Sequence, residues 1–390
     1  MSTKEVSFFG RNRFAISVTT LMGTIIGAGV LGIPYVIAKA GYLYGFFLIG
    51  LLGVAYLYLN LFFGEVVLRT KKQHQFPGYA EKYLGKTGKR ITAIAMILGV
   101  YGALTAYLIG VGEASFAIFN WGTPLVYTLL FFIVCVIIVL GGIKAMGKAE
   151  LILIPLLVIV VFAIGVVSFD QLDYSSLIPW DMQYFFLPYG VLIFAYMGFA
   201  SIPVMREVLE KDTKKMKRAI IIGSLIPLFL YALFALIIIG VVGLDNFELL
   251  KPNERIATVA LSIYAHPVLG VLANILAILA MFTSFLTNAM ALKEVYHYDF
   301  KLSSITALFL TLLIPLLITV FGIATFLTIL GITGAVSGGL QGILLIFMYW
   351  KAQLLGDRKP EYALGGQRVL GMLFILMFSL GIIYTLWTLL

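Results

Sequence analysis

Residues 23–34 read G-T-I-I-G-A-G-V-L-G-I-P, a glycine-rich interruption in the middle of the chain's first long apolar segment. Gly23, Gly27, Gly29 and Gly32, followed by Pro34, make a helix costly to continue and leave backbone N–H and C=O groups unpaired. In hydrocarbon those groups must find partners, so irregular backbone is tolerated only where it packs against protein or lines a polar cavity. The interruption therefore predicts a binding site at mid-depth in a membrane.

Composition supplies the membrane. Of 390 residues, 62% are hydrophobic and 12% charged, about half the charged fraction of an ordinary soluble domain. Apolar runs long enough to cross a bilayer, roughly 20 residues each, lie near 14–38, 43–68, 90–119, 124–140, 149–168, 184–205, 218–243, 267–292, 302–320, 323–350 and 369–389. The expectation is an all-α integral membrane protein of eleven transmembrane helices. With the N-terminus in the cytoplasm, 24 of the 27 Lys and Arg fall in cytoplasmic segments, and only Lys39, Lys251 and Arg255 fall outside. That asymmetry fits a multi-pass protein of the cell membrane with an extracellular C-terminus. It also accounts for the net charge of +9, since short basic loops flank apolar spans and no basic face for nucleic acid is present. Trp121, Trp180, Trp350 and Trp387 all fall at helix ends, as an interfacial belt places them. A lone cysteine, Cys135, permits no internal disulfide. Residues 1–13 precede a helix too long for a signal peptide and are expected to be retained.

The longest polar stretches, 70–89, 170–183, 244–266 and 351–367, are loops in this reading, so residues 1–390 form a single transmembrane domain. Within 253–264 a helical pattern predicts a short helix lying over an outer vestibule, or a plain surface helix. A second interruption, F-A-Y-M-G-F-A-S-I-P at 194–203, falls five helices after the first. Breaks in corresponding positions of two halves point to inverted repeats sharing a midplane site. The repeats would be 14–168 and 184–350, with 369–389 as an additional helix.

Three strings carry a resemblance: the first interruption, G-A-L-T-A-Y-L-I-G-V-G-E at 102–113, and A-M-F-T-S-F-L-T-N at 280–288. Together they resemble the amino acid/auxin permease family, which includes aromatic and neutral amino acid transporters, within the LeuT-type folds of the amino acid-polyamine-cation superfamily. The resemblance implies a LeuT-type inverted repeat with helices 1 and 6 broken, and an amino acid substrate.

The breaks themselves suit a zwitterion. Unwinding near Ile25 to Gly29 aims the N–H groups of Gly27, Ala28 and Gly29 at a cavity beside a half-helix N-terminus, which favours a carboxylate. Carbonyls around Ile193, Phe194 and Tyr196 end another half-helix and favour an ammonium. Neither break contains a charged side chain. Tyr107 offers a hydroxyl to the carboxylate or to the broken backbone, a role similar transporters give a tyrosine there; bundle packing is the alternative. Phe194, Tyr196 and Phe199 are candidates to line or gate the side-chain pocket.

Thr283 and Ser284, with the Ala280 carbonyl one turn earlier and the Gly23 and Ile26 carbonyls, offer the oxygen set of a small hard cation. By resemblance, each matches a sodium-ligand position in sodium-coupled relatives. Hydroxyls bonded across helices are the other reading of the pair. Gly23 stands where similar neutral amino acid transporters often carry Asn. Val30 stands where some place a ligand for another sodium, and Leu157 falls near a lysine that replaces sodium in some proton-coupled relatives. Glu113, about 10 Å inside the outer end of the third helix at 1.5 Å per residue, is the remaining proton-coupling candidate. Glu65, Glu150 and Glu207, at cytoplasmic helix ends, read as ion-paired.

The expected function is import of a neutral, possibly aromatic, amino acid by sodium-coupled alternating access, with proton coupling or exchange through Glu113 as the alternative. An enzyme would need paired carboxylates, a metal cluster or an activated nucleophile at depth, and the sequence shows none. Partners are the amino acid, Na+ or H+, and the lipid bilayer, with no cofactor beyond the coupling ion.

Overall fold

The computed structural model describes residues 12–141, 147–175, 178–210 and 212–389, and these are overwhelmingly helical. The first expected span is two helices, α1 (Arg13–Ile25) and α2 (Ile33–Ala40), bent by 44° around a tight turn at Ala28–Gly32. There follow α3 (Tyr42–Arg69), α4 (Phe76–Phe119), α5 (Pro124–Gly141) and α6 (Gly147–Val167). The sixth expected span is again split, into α7 (Leu187–Tyr196) and α8 (Ser201–Leu209). Next come α9 (Met216–Val242), the short α10 (Leu244–Leu249) and α11 (Ala257–Tyr264), α12 (Pro267–Glu294) and α13 (Ser304–Val320). The tenth span is α14 (Phe326–Ile332), a π-helical stretch at Thr333–Gly338 and α15 (Gly339–Leu355); α16 (Arg368–Leu389) ends the fold.

Each of the eleven apolar runs thus coincides with a helix or a broken pair. Among the described residues, eight helical stretches are long and apolar enough to cross a membrane, or nine when the bent α1–α2 pair is counted as one span. The fifth and ninth runs fall on shorter apolar helices, Val158–Val167 and Ser304–Val320, among the described residues.

One loop expectation is corrected. Residues 76–84, inside the polar stretch 70–89, are helical and continue into α4 through a kink at Gly85, whose φ of 75° suits a residue without a Cβ. Phe76, Tyr79, Ala80 and Tyr83 are buried there, one face of an amphipathic turn. Residues 257–264 do form the predicted short helix, which packs on α12, α9 and α4.

Close packing sets the geometry of the breaks. α4 packs along α12, α5, α13 and α15, while α1 packs against α8, α9 and α6. A Cβ on Gly29 would stand 2.6 Å from the Ala195 Cα, so the turn after α1 touches the backbone of α7. Likewise a Cβ on Gly334 would stand 1.9 Å from the Gly190 carbonyl oxygen, which presses α7 onto the π-helical stretch. With no side chain between them, backbones approach as closely as small residues permit in membrane bundles.

The ends differ in character. At the basic face, residues 356–367 form a strap over α3. Asp357 and Arg358 donate their N–H groups to the Arg69 carbonyl at 2.8 and 3.2 Å, and the Tyr362 hydroxyl donates to the Leu61 carbonyl at 2.7 Å. Glu65 is fully buried; one carboxylate oxygen takes two bonds from Arg69 at 2.8 Å, the other the Leu364 N–H at 2.8 Å. The expected pairing of Glu65 is therefore present, while the Glu150 side chain lies outside the described residues. Arg206, beside Glu207, donates to the Val67 and Thr70 carbonyls at 2.8 and 2.7 Å, satisfying the end of α3.

Two strap carboxylates are charged more readily than usual. Hydrogen bonds from the Lys82 ammonium and the Lys71 N–H hold Asp357 below its ordinary range. Burial pushes Glu361 up, but the Thr213 hydroxyl and Arg358 outweigh it and the net shift is downward. Depressed carboxylates stabilise the docked strap above their unfolded pKa values, and that contribution is lost as pH falls through the folded ones. Hydrogen–deuterium exchange of residues 356–367, corrected for intrinsic rates, is expected to show protection at pH 7 that fades below about pH 4. Equal protection at pH 7 and pH 3 would refute this.

Candidate functional site

The first break follows from its hydrogen bonds. The Ile26 N–H still bonds the Met22 carbonyl at 2.7 Å, but the Gly27 N–H turns to Ile25 at 2.9 Å. The Gly23 carbonyl loses the donor four residues on that a continuing helix would supply. The Ala28–Gly32 turn then starts a new run beside α4, α7 and α12. Ile25, Ala28 and Gly29 are buried. A Cβ on Gly27 would lie 3.6 Å from the Tyr107 hydroxyl, so the third-helix tyrosine stands beside the first break.

At the second break, residues 197–200 connect α7 to α8. The Met197 N–H closes on the Phe194 carbonyl at 3.3 Å, and Ser201 caps Gly198 through both its N–H, at 3.2 Å, and its hydroxyl, at 2.8 Å. Of the expected acceptors, the Phe194 carbonyl is thus partly used locally. Ile193 and Tyr196 lie in the last turns of α7, both side chains buried.

The three aromatics part company. Tyr196 donates its hydroxyl to the Ile49 carbonyl of α3 at 3.0 Å, and Phe199 stacks between Tyr56 and Phe76 at 5.5 and 5.9 Å. Both rings are buried and hold neighbours on other helices. Phe194 alone of the three is partly exposed.

Sequence reasoning missed Tyr231. From α9 its buried hydroxyl reaches the Ile25 carbonyl at 2.8 Å and the Ala195 carbonyl at 2.9 Å, touching both breaks at once. One of 21 tyrosines, it carries no local mark; only the crossing of α9 over the two breaks singles it out.

The proposed cation ligands lie on adjoining elements. Thr283 is buried and donates its hydroxyl to the Ala280 carbonyl at 3.0 Å. Its proton is thereby spent along its own helix, leaving the oxygen lone pairs for another partner. Ser284 is partly exposed, and α12 packs against the turn that follows Gly23 and Ile26. Among the described residues, no group of three or more His, Cys, Asp or Glu is placed to hold a metal. Hydroxyls and carbonyls are the available hard ligands.

Glu113 sits away from these elements. Its carboxylate faces the Asn253 amide, whose oxygen accepts the Phe326 N–H at the start of α14 at 3.0 Å. Nearby, Lys39 pairs with Glu248 at 3.0 Å and Arg255 donates to the Tyr35 hydroxyl at 3.0 Å, tying α2 to the α10–α11 segment. Glu113 thus belongs to a latch at the face opposite the basic one.

The architecture has solved counterparts. MhsT in complex with L-phenylalanine superposes with a TM-score of 0.71 at 18% identity, covering 95% of this chain and 98% of that one. Its fold is of the LeuT type. In sequence, the chain is 25% identical to the tyrosine-specific transport system 1 of Haemophilus influenzae, over 96% of each protein. Glutamine transporter 2 of Aliivibrio fischeri is 25% identical over 82% of this chain and 84% of its own length. The tryptophan/tyrosine permease family model matches residues 11–388. With that match across nearly all of a LeuT-type fold, the chain is an amino acid permease and belongs to the tryptophan/tyrosine permease family.

Proposed function

We propose that the protein imports a neutral amino acid, with tyrosine the first to test, by alternating access across the cell membrane, coupled to one sodium ion held between α1 and α12. The observation that carries this is the convergence of the two breaks. The Gly27 N–H, expected among the donors, is instead taken by the Ile25 carbonyl. The N–H groups of Ala28 and Gly29 at the start of the next turn and the carbonyl end of α7 are therefore the groups that would offer opposite partial charges to a zwitterion, with no charged side chain between. Tyrosine is favoured by the family and by the Haemophilus relative, and the partly exposed Phe194 supplies an aromatic neighbour. The basic face is cytoplasmic in this reading, which puts the N-terminus inside and the C-terminus outside. No covalent chemistry is involved.

Sodium coupling is supported by the freed Gly23 carbonyl and by the Thr283 oxygen. Ion and substrate would share the first break, so each raises the affinity of the other. Uptake of labelled tyrosine, with the other nineteen amino acids as competitors, into liposomes under imposed sodium or proton gradients tests the reading. Drive by neither gradient for any amino acid would overturn it. Thr283→Ala with Ser284→Ala removes two oxygens at about 1.5 kcal/mol each for contacts to a charge, so half-saturating sodium is expected to rise at least about tenfold while Tm changes little. If a proton gradient alone drives uptake and Glu113→Gln uncouples it, the proton-coupled alternative holds. The latch with Asn253 gives that carboxylate a structural use already, which favours sodium.

A further inference from the structure

Two half-helices end at the breaks with their carbonyls pointing into the protein: α1 at Ile25 and α7 at Tyr196. A helix C-terminus carries partial negative charge, and two such ends brought together repel unless something positive stands between them. At that point the structure holds the Tyr231 hydroxyl, 2.8 Å from the Ile25 oxygen and 2.9 Å from the Ala195 oxygen. The residue is fully buried, and its ring lies 5.2 Å from that of Tyr196. Oxygen–oxygen distances this short require a hydrogen, and a phenol supplies only one for two acceptors.

We propose that Tyr231 is a positioning residue whose hydroxyl hydrogen fastens the carbonyl ends of α1 and α7 into one unit. Substrate contacts on the first and sixth spans then keep a fixed spacing as the protein changes state. The inference rests on the reading of the breaks as the substrate site. It concerns how that site is held, not what it binds.

The test separates the hydrogen from the ring. Tyr231→Phe keeps the ring packed but removes the donor, leaving the Ile25 carbonyl with the Gly27 N–H alone and the Ala195 carbonyl without its bond from α9. Genetically encoded p-aminophenylalanine at position 231 has nearly the shape of tyrosine and offers two N–H hydrogens, one for each carbonyl. Uptake kinetics per folded molecule, in proteoliposomes, give the readout. For Tyr231→Phe, KM for the best substrate is expected to rise about tenfold or more, the scale of one buried hydrogen bond lost. The amino variant is expected to restore KM to within about twofold of the parent or below it. A Phe variant with the parent's KM, or an amino variant no better than Phe, overturns the proposal. Should Tyr231→Phe fail to fold, the amino variant alone decides, because a tenfold higher KM in that near-isosteric protein contradicts a donor role. Absence of amino acid uptake by the unaltered protein would instead strike the proposed function.

Discussion

Gly29→Ala is expected to abolish uptake. The added carbon would stand 2.6 Å from the Ala195 Cα, 2.8 Å from its Cβ and 3.0 Å from its nitrogen. All three atoms are fixed by the backbone of α7, so no rotamer change relieves the clash. The two broken spans would have to separate by the better part of an ångström. Overpacking of this kind costs about 1–3 kcal/mol, and separation also pulls the Ile25 and Ala195 carbonyls away from the one hydroxyl they share. A drop in tyrosine uptake of at least about a hundredfold, the equivalent of roughly 2.7 kcal/mol, is the expected result in proteoliposomes matched for protein content. Gly50→Ala is the control, because a Cβ there meets nothing within 4 Å and alanine is the better helix former. Comparable uptake by both variants would mean that the contact between the breaks can yield.

Glu65→Ala should be the most destabilising single change at the basic face. The carboxylate is fully buried and holds Arg69 twice and the Leu364 N–H once. Removing one partner of a buried pair leaves the other uncompensated, at about 3 kcal/mol where the survivor keeps some access to water. Arg69 does, with a side chain 18% exposed. Residues 356–367 would lose their central anchor as well. A fall in Tm of the purified protein, together with faster hydrogen exchange in the strap, is expected. Unchanged exchange in 356–367 would show that Tyr362 and the Arg69 carbonyl suffice to dock it.

What could be read from sequence was whatever glycine, proline and long apolar runs announce. Both breaks were legible because Gly27, Gly29 and Pro34, and later Gly198 and Pro203, oppose a continuous helix locally. The strap was not, because residues 356–367 are held by backbone contacts to α3, and polarity alone describes such a segment as a loop. The helix at 76–84 was hidden by its polar pair Glu81 and Lys82 and by Pro77 and Gly78, while Phe76, Tyr79 and Tyr83 turn in. Tyr231 and the Asn253 link to Glu113 depend on which helices cross, information that resides in tertiary packing. Tyr196 and Phe199 show the converse: proximity in sequence to a break did not decide where their rings point.

The first break has a consequence for how such a permease diversifies. Its proposed recognition atoms at Ala28 and Gly29 are main-chain N–H groups, which every residue but proline possesses. A point mutation can alter the neighbouring surface but does not delete the amides proposed to meet a carboxylate. Selection is therefore free to exchange the side-chain pocket while the grip on the shared amino acid backbone is inherited intact. Relatives named for tyrosine and for glutamine, at the same 25% identity, are what drift around such a main-chain handle would produce.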